Sequence, residues 1–182
     1  MAFLSACSTQ PRILPSQKSW NQASTLKNWR AKGRIKVKIA GDTHSASFDW
    51  QQFKQNYTIR FYGPFGLGTS WLRRTSSGVT LQVPEHPLQK ADTPEDLMMS
   101  TFGWFVPVSP LQHWIKGIPA PKEQITNQEI DELGTIKLLQ QAGWTVSYAK
   151  PTILNNWRLP GRVVAKREDI EVLIVIKVWS RQ

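Results

Sequence analysis

Apolar and polar side chains alternate with a period of two over most of this chain, and no other feature limits the possible folds as strongly. Ile35, Val37 and Ile39 alternate with basic residues, as in a strand with one buried face. The same alternation recurs around Ala46, Phe48 and Trp50, around Tyr57, Ile59 and Phe61, around Val79, Leu81 and Val83, and around Trp144, Val146 and Tyr148. Glycine-containing turns separate these sets, so the sequence predicts an antiparallel meander.

Three segments have helical spacing instead. The segment 16–31 carries apolar residues on one stripe and basic residues off it. Thr93 before a proline predicts a second helix start, with Asp96 completing an approximate capping box. Ser109 before another proline predicts a third start, and Gly117 predicts its end. All three helices are apolar on one side, and the second and third are short.

The last strand, predicted from Ile170 to Trp179, is apolar on both faces. A strand of this kind needs a layer packed against each face, and the three helices are the available cover. The sequence therefore predicts a mainly β protein with short helices (α+β), in which a curved sheet wraps around the helices.

The chain has 182 residues, which suits one domain. We assign residues 16–182 to that domain and residues 1–15 to a truncated signal, a lipobox and a flexible tether. The lipobox is L-S-A-C, which ends at Cys7, the single cysteine. A buried or incidental thiol is the alternative. Too few residues precede Cys7 for a complete signal, so either the natural start lies upstream of Met1 or the sequence has been shortened.

The net charge of the chain is compatible with several classes of binding partner. A formal net charge of +10 favours nucleic acid, anionic lipid or an acidic protein. Nucleic acid is disfavoured, because the basic residues alternate with the apolar ones and so lie on the opposite face of the strands. Nucleophile, phosphate-loop and zinc motifs are missing, and the three histidines are widely separated. We therefore expect no enzyme activity, no cofactor and no metal.

One turn is unusual in its side chains. The stretch F-Y-G-P-F-G-L-G-T-S-W-L begins at Phe61 and places Phe65 and Leu67 among glycines and a proline. Glycine and proline favour a surface turn, and turn tips are usually polar. The turn therefore predicts either an apolar tip exposed to solvent or a tip folded under a neighbouring loop.

These motifs together resemble one family, the outer-membrane lipoprotein receptor LolB of Gram-negative bacteria. The resemblance runs from about Trp20 to the carboxyl end. It rests on W-x8-W-x3-G-R-I, S-A-S-F-D-W-Q-Q, Y-x-I-R-F-Y-G-P-F-G-L-G, T-P-E-D-L-M, G-W-F-V-P-V-S-P-L-x-x-W-I-x-G-x-P-A-P and Q-x-G-W-x-V-x-Y. The chain departs from the family at Phe65, where leucine is usual, and in its curtailed signal.

The resemblance implies an open, strongly curved antiparallel sheet, an unclosed barrel, that encloses an apolar cavity capped by helices. It implies a monomer that is lipid-anchored in the outer membrane and faces the periplasm. Such a protein would accept acylated lipoproteins from the periplasmic carrier LolA and insert them into the inner leaflet of the outer membrane. A soluble carrier of the LolA kind and a basic nucleic-acid-binding module remain as alternatives.

The candidate site residues follow from both lines of argument. Cys7 is the expected lipidation site, and Phe65 and Leu67 are expected to enter the membrane. The residues expected to line the acyl cavity are Trp20, Phe48, Trp50, Leu97, Trp114, Ile115 and Trp144. The alternative for the tryptophans is plain core packing.

Overall fold

The structure is a computed structural model that describes residues 23–63, 68–103 and 105–182. The predicted site residues Cys7, Trp20, Phe65 and Leu67 lie outside the described residues. Among those described, no helix is long and apolar enough to cross a membrane.

Eleven strands of the described part of the chain form one antiparallel sheet, and two helices lie between the sixth strand and the seventh. The strands are β1 (Asn28–Ile39), β2 (Asp42–Phe53), β3 (Asn56–Tyr62), β4 (Ser70–Thr75), β5 (Gly78–Gln82), β6 (Gln89–Ala91), β7 (Ile125–Ile130), β8 (Ile136–Gln141), β9 (Trp144–Leu154), β10 (Trp157–Arg167) and β11 (Ile170–Arg181). The helices are α1 (Pro94–Phe102) and α2 (Val108–Trp114).

The strand order explains why the sheet is open. It runs β6-β5-β4-β3-β2-β1-β11-β10-β9-β8-β7, so the first and last strands pair in the middle of the sheet. The edges are β6 and β7, and the chain that joins them carries both helices. The predicted fold class, an unclosed curved antiparallel sheet with few short helices, is confirmed.

A bulge in β11 at Lys177, opposite β1, contributes to the curvature of the sheet. The register between β1 and β11 shifts between Lys32 and Gly33. A Cβ atom at Gly33 would lie 1.9 Å from the carbonyl oxygen of Val175, so only glycine lets the two backbones approach this closely.

The concave face of the sheet holds the core. The alternating residues of β1, β2 and β3 bury Val37, Phe48, Trp50 and Ile59, as the period-two pattern predicts. The basic residues that alternate with them, such as Lys36, lie exposed on the convex face.

Two elements differ from the sequence prediction. The helix predicted to Ala31 is wrong in its last part, because β1 already begins at Asn28. Trp29 and Ala31 are buried there by pairing with both β2 and β11, and this packing prevails over helix propensity. The prediction that β11 is covered on both faces is also wrong. Leu173 and Val175 are only half-buried on the convex face, since the described helices cover the concave face alone.

The strand directions define two rims of the sheet. The turn rim is the end where β3 runs into Gly63 and β4 begins at Ser70. The opposite rim holds Asn28, Phe53 and Arg181, which are the start of β1 and the ends of β2 and β11. The chain segments that flank the Gly/Pro turn and the start of β1 therefore lie at opposite rims of the sheet.

Candidate acyl-chain cavity and its helical cover

A cavity of about 50 Å³ lies between the concave face of the sheet and the helical segment. The part of its wall that the structure describes is apolar except for one serine. The lining residues are Ile35, Val37, Phe48, Trp50, Ile59, Phe61, Ser70, Met98, Phe102, Val106, Val108, Leu111 and Ile174. A wall of this composition can shelter hydrocarbon but offers almost no hydrogen bonds to a polar ligand.

The structure brings together only part of the predicted cavity set. Phe48 and Trp50 line the cavity. Leu97, Trp114, Ile115 and Trp144 are buried in the same core but are not among the lining residues. Trp114 and Trp144 contact each other instead, with ring centroids 6.2 Å apart.

Trp50 is held firmly in the wall. The centroid of its ring lies 5.4 Å from the ring centroid of Trp29 and 5.8 Å from that of Tyr57. Its indole N–H donates to Oε1 of Gln52 at 3.0 Å, which satisfies the one polar group of a buried indole. The side-chain amide of Gln52 in turn donates to the carbonyl of Lys54 at 2.9 Å. Trp50 is therefore a preorganised part of the cavity wall.

Sequence reasoning missed most of the lining that the helices supply. Met98 and Phe102 are four residues apart in α1 and contribute to the wall, and Val106, Val108 and Leu111 follow them. The spacing of Met98 and Phe102 was a usable signal, because residues four apart share one face of a helix. Nothing in the sequence says that this face meets β1 to β4 across a cavity.

The two helices are joined by one carboxylate. Thr93 caps α1 as predicted, accepting from the backbone N–H of Asp96 at 3.2 Å. The predicted cap of α2 is wrong, since α2 begins at Val108 after Pro107 and has no side-chain cap of its own. Instead, Glu95 of α1 accepts from the backbone N–H of Ser109 at 2.6 Å and from its hydroxyl at 2.9 Å.

A buried glutamine fixes the carboxyl-terminal end of α2 to the sheet. Gln141 of β8 is 1 % exposed, and its Oε1 accepts from the indole N–H of Trp114 at 2.9 Å and from the N–H of Ala120 at 2.8 Å. Its amide donates to the carbonyl oxygens of Ala120 at 3.0 Å and Glu123 at 2.9 Å. All polar atoms of this side chain are used, so the end of α2 is a fixed point of the helical cover.

A buried lysine lies next to this fixed point. The ammonium of Lys116 donates to the carbonyl of Leu26 at 3.3 Å, which ties the chain after α2 to the chain before β1. Burial, with a smaller contribution from the charge of Lys27, lowers the pKa of Lys116 to about 8. Burial, together with the charges of Lys116 and Lys27, lowers the pKa of His113 to about 4. The imidazole is therefore neutral at pH 7.

The lowered pKa of Lys116 predicts how stability depends on alkaline pH. Between about pH 8 and the ordinary value of 10.5, the unfolded chain binds more protons than the folded chain. The free energy of unfolding of the wild type should therefore rise relative to that of Lys116→Met, by at most ~1.4 kcal/mol per pH unit. Urea denaturation of both proteins from pH 7 to 10.5 measures this difference.

The comparison with Lys116→Met removes the contribution of the buried tyrosines to the pH dependence of stability, because both proteins contain them. Burial also raises the pKa values of Tyr57 and Tyr148, which destabilises both proteins equally at high pH. A difference between wild type and Lys116→Met that stays constant over this range would contradict the buried position of the ammonium.

The fold and the cavity together define a class of protein: an open antiparallel barrel that holds an apolar cavity under short helices. A crystal structure of a LolA-superfamily protein from Nitrosomonas europaea has this fold, with a TM-score of 0.54 at 8% identity, covering 92% of this chain and 93% of that one.

The sequence model of the family described as outer membrane lipoprotein LolB matches residues 27–179. An outer-membrane lipoprotein LolB of Cellvibrio japonicus is 31% identical over 192 residues, covering 98% of this chain and 92% of that protein. One of Pseudomonas syringae pv. syringae is 34% identical over 159 residues, covering 87% of this chain and 77% of that protein. The chain belongs to the LolB family of outer-membrane lipoproteins, which confirms the resemblance found in the sequence.

Proposed function

We propose that this protein is an outer-membrane receptor that binds the acyl chains of lipoproteins delivered by the periplasmic carrier LolA and inserts those lipoproteins into the membrane. The observation that carries the proposal is the cavity, whose only polar lining residue among those described is Ser70. Lipid on Cys7 would anchor the protein, which would act as a monomer. Phe65 and Leu67 would enter the bilayer during release.

The size of the cavity implies that it opens to accept cargo. Its volume of about 50 Å³ has room for only a few water molecules, each of which needs ~10–15 Å³, so a whole acyl chain does not fit. Burying ten methylenes is worth ~8 kcal/mol, at ~0.8 kcal/mol each. Part of that energy would be spent in separating the helices from the sheet, so cargo is held more weakly than in a bilayer and transfer needs no energy source.

The contacts of the two helices indicate which one moves. The end of α2 is fixed by the bonds of Trp114 to Gln141, which are buried. For α1, a bond to the sheet runs from Thr101 to Gln89 at 2.7 Å, on the short edge strand β6, and Met99 is 50 % exposed. We propose that α1 swings away from β4 and β5 while α2 stays attached at its end. Weakly attached elements open first.

Contact quenching with a brominated acyl chain tests which tryptophan touches cargo. Trp50 lines the cavity and Trp144 does not, although both are buried on strands. Wild type should lose a part of its tryptophan emission when the brominated chain binds. That quenching should be largely absent in Trp50→Phe and retained in Trp144→Phe, because phenylalanine keeps the apolar contact but not the indole.

The two variants are matched, since each exchanges one buried indole for a smaller ring. Circular dichroism and urea denaturation verify that both remain folded. Equal quenching in wild type and Trp50→Phe would contradict binding in this cavity. Failure of the wild type to take an acylated lipoprotein from LolA would contradict the receptor function itself.

A further inference from the structure

A second concavity lies on the convex face of the sheet, at the turn rim. It is a groove of about 300 Å³ lined by Trp71, Arg73, Thr80, Gln82 and Leu88. Trp71 pairs directly with Gln82 across β4 and β5, and Arg73 pairs with Thr80. Leu88 is 50 % exposed at one end of the groove. The groove therefore combines a cation, two neutral polar groups and an apolar border.

An arginine on the neighbouring strand adds a second cation. Arg60 of β3 pairs with Trp71 of β4, and its guanidinium lies 4.2 Å from the centre of the Trp71 ring and 4.5 Å from that of Tyr62. Stacking uses the faces of a guanidinium and leaves its in-plane N–H groups as donors. The Nε donor of Arg60 is buried and has no hydrogen-bond partner, so Arg60 adds positive charge beside the groove.

Asp49, a carboxylate beside Arg60, is already neutralised. Asp49 pairs with Arg60 across β2 and β3, but it accepts from Nε of Arg30 at 2.7 Å and lies 3.7 Å from the ammonium of Lys32. The three cations Arg30, Lys32 and Arg60 therefore surround the carboxylate of Asp49 on the strands next to the groove. The excess positive charge is available to an anionic ligand.

The position of the groove at the turn rim favours a lipid headgroup over other anionic ligands. Tyr62 ends β3 and Trp71 is the second residue of β4, so both border the turn to which the proposed function assigns membrane entry. Tryptophan and tyrosine suit the boundary between hydrocarbon and water, and arginine donates two parallel hydrogen bonds to phosphate oxygens. The border of Trp71 and Leu88 fits the glycerol and first methylenes of a lipid.

We propose that the groove of Trp71, Arg73, Thr80, Gln82 and Leu88, with Arg60 beside it, binds the phosphodiester headgroup of a membrane phospholipid. The inference rests on one part of the proposed function, namely that the turn rim faces a bilayer. A bound headgroup fixes the rotation of the domain on the membrane, so that the turn and the cavity face the acyl boundary together.

Headgroup binding can be measured without acyl chains. Glycerophosphoglycerol, the deacylated headgroup of phosphatidylglycerol, is titrated into the protein while the indole N–H signals are followed by nitrogen-15 NMR. The Trp71 signal should shift and saturate, and the Trp50 signal in the inner cavity should not move. Arg73→Gln should weaken the binding about fivefold, or ~1 kcal/mol.

The matched control is Arg34→Gln, which removes the same charge from an exposed position of β1 on the convex face. It should change the binding less than about twofold, since it retains the groove. Equal losses in Arg73→Gln and Arg34→Gln would reduce the effect to general electrostatic attraction and overturn the proposal. An equal response to inorganic phosphate would also overturn it, because the site would then not distinguish a headgroup from a free anion.

Vesicles connect the groove to membrane binding. Association with vesicles of phosphatidylcholine containing phosphatidylglycerol should fall several-fold in Arg73→Gln and little in Arg34→Gln, while acceptance of lipoprotein from LolA is unchanged. Normal vesicle association of Arg73→Gln would overturn the role of the groove on the membrane. A wild type that binds glycerophosphoglycerol at Trp71 but accepts no lipoprotein would leave the groove standing and refute the proposed function.

Discussion

Replacing Gln141 with leucine should lower the free energy of unfolding by at least ~3 kcal/mol, measured by urea denaturation. Leucine fills nearly the same space but removes the acceptor of Trp114 and of the Ala120 N–H, and the donor to the carbonyls of Ala120 and Glu123. Each buried group left without a partner costs ~1–3 kcal/mol. The large effect follows from how many such groups depend on one side chain.

The neighbouring residue of β8 is the matched control. Gln140 is half-buried on the other face of the strand, so Gln140→Leu should change stability by less than about 0.5 kcal/mol. Should Gln141→Leu fail to fold, Trp114→Phe removes only one of the four hydrogen bonds of Gln141, and a smaller loss is expected. Similar stabilities of Gln141→Leu and Gln140→Leu would show that the amide does not hold the end of α2.

The strands were predictable because a half-buried strand leaves a local pattern. In β2, Ala46, Phe48 and Trp50 are buried and Ser47 and Gln51 are half-buried, which a period of two already implies. β1 shows the limit of that rule. Trp29 fits both a helical stripe and an alternating strand, and the choice between them depends on pairing with β11, almost the whole chain away.

The candidate site was only partly predictable, for a related reason. A buried tryptophan has the same sequence pattern whether it lines a cavity or packs in the core. Trp50 and Trp144 both lie on apolar faces of strands, but only Trp50 faces the cavity under α1. Gln141 left no signal at all, since a glutamine at a buried position of β8 becomes an anchor only when Ala120 and Trp114 come within hydrogen-bond distance.

Changing Phe65 to glutamate should abolish delivery of lipoprotein to the membrane while leaving acceptance from LolA intact. Phe65 lies outside the described residues, and the prediction rests on its place in the turn between Gly63 and Gly68. A carboxylate must lose its hydration before the turn can enter the acyl boundary, and that desolvation is costly. The cavity begins on the strands beyond the turn, so binding of acyl chains should survive. Transfer to liposomes, measured separately from transfer out of LolA, resolves the two steps.

Phe53 supplies the control for Phe65, because it is a phenylalanine that is 55 % exposed at the opposite rim. If delivery depends on the turn rim, Phe53→Glu should deliver normally, although it adds the same charge to the same protein. Phe65→Leu should also deliver nearly normally, since leucine brings a comparable apolar area. The free energy of unfolding of both glutamate variants should lie within about 0.5 kcal/mol of the wild-type value, as is usual for substitutions at exposed positions. A Phe65→Glu protein that unfolds, or that delivers as well as Phe53→Glu, would mean that the turn packs against the domain and that release occurs elsewhere on the molecule.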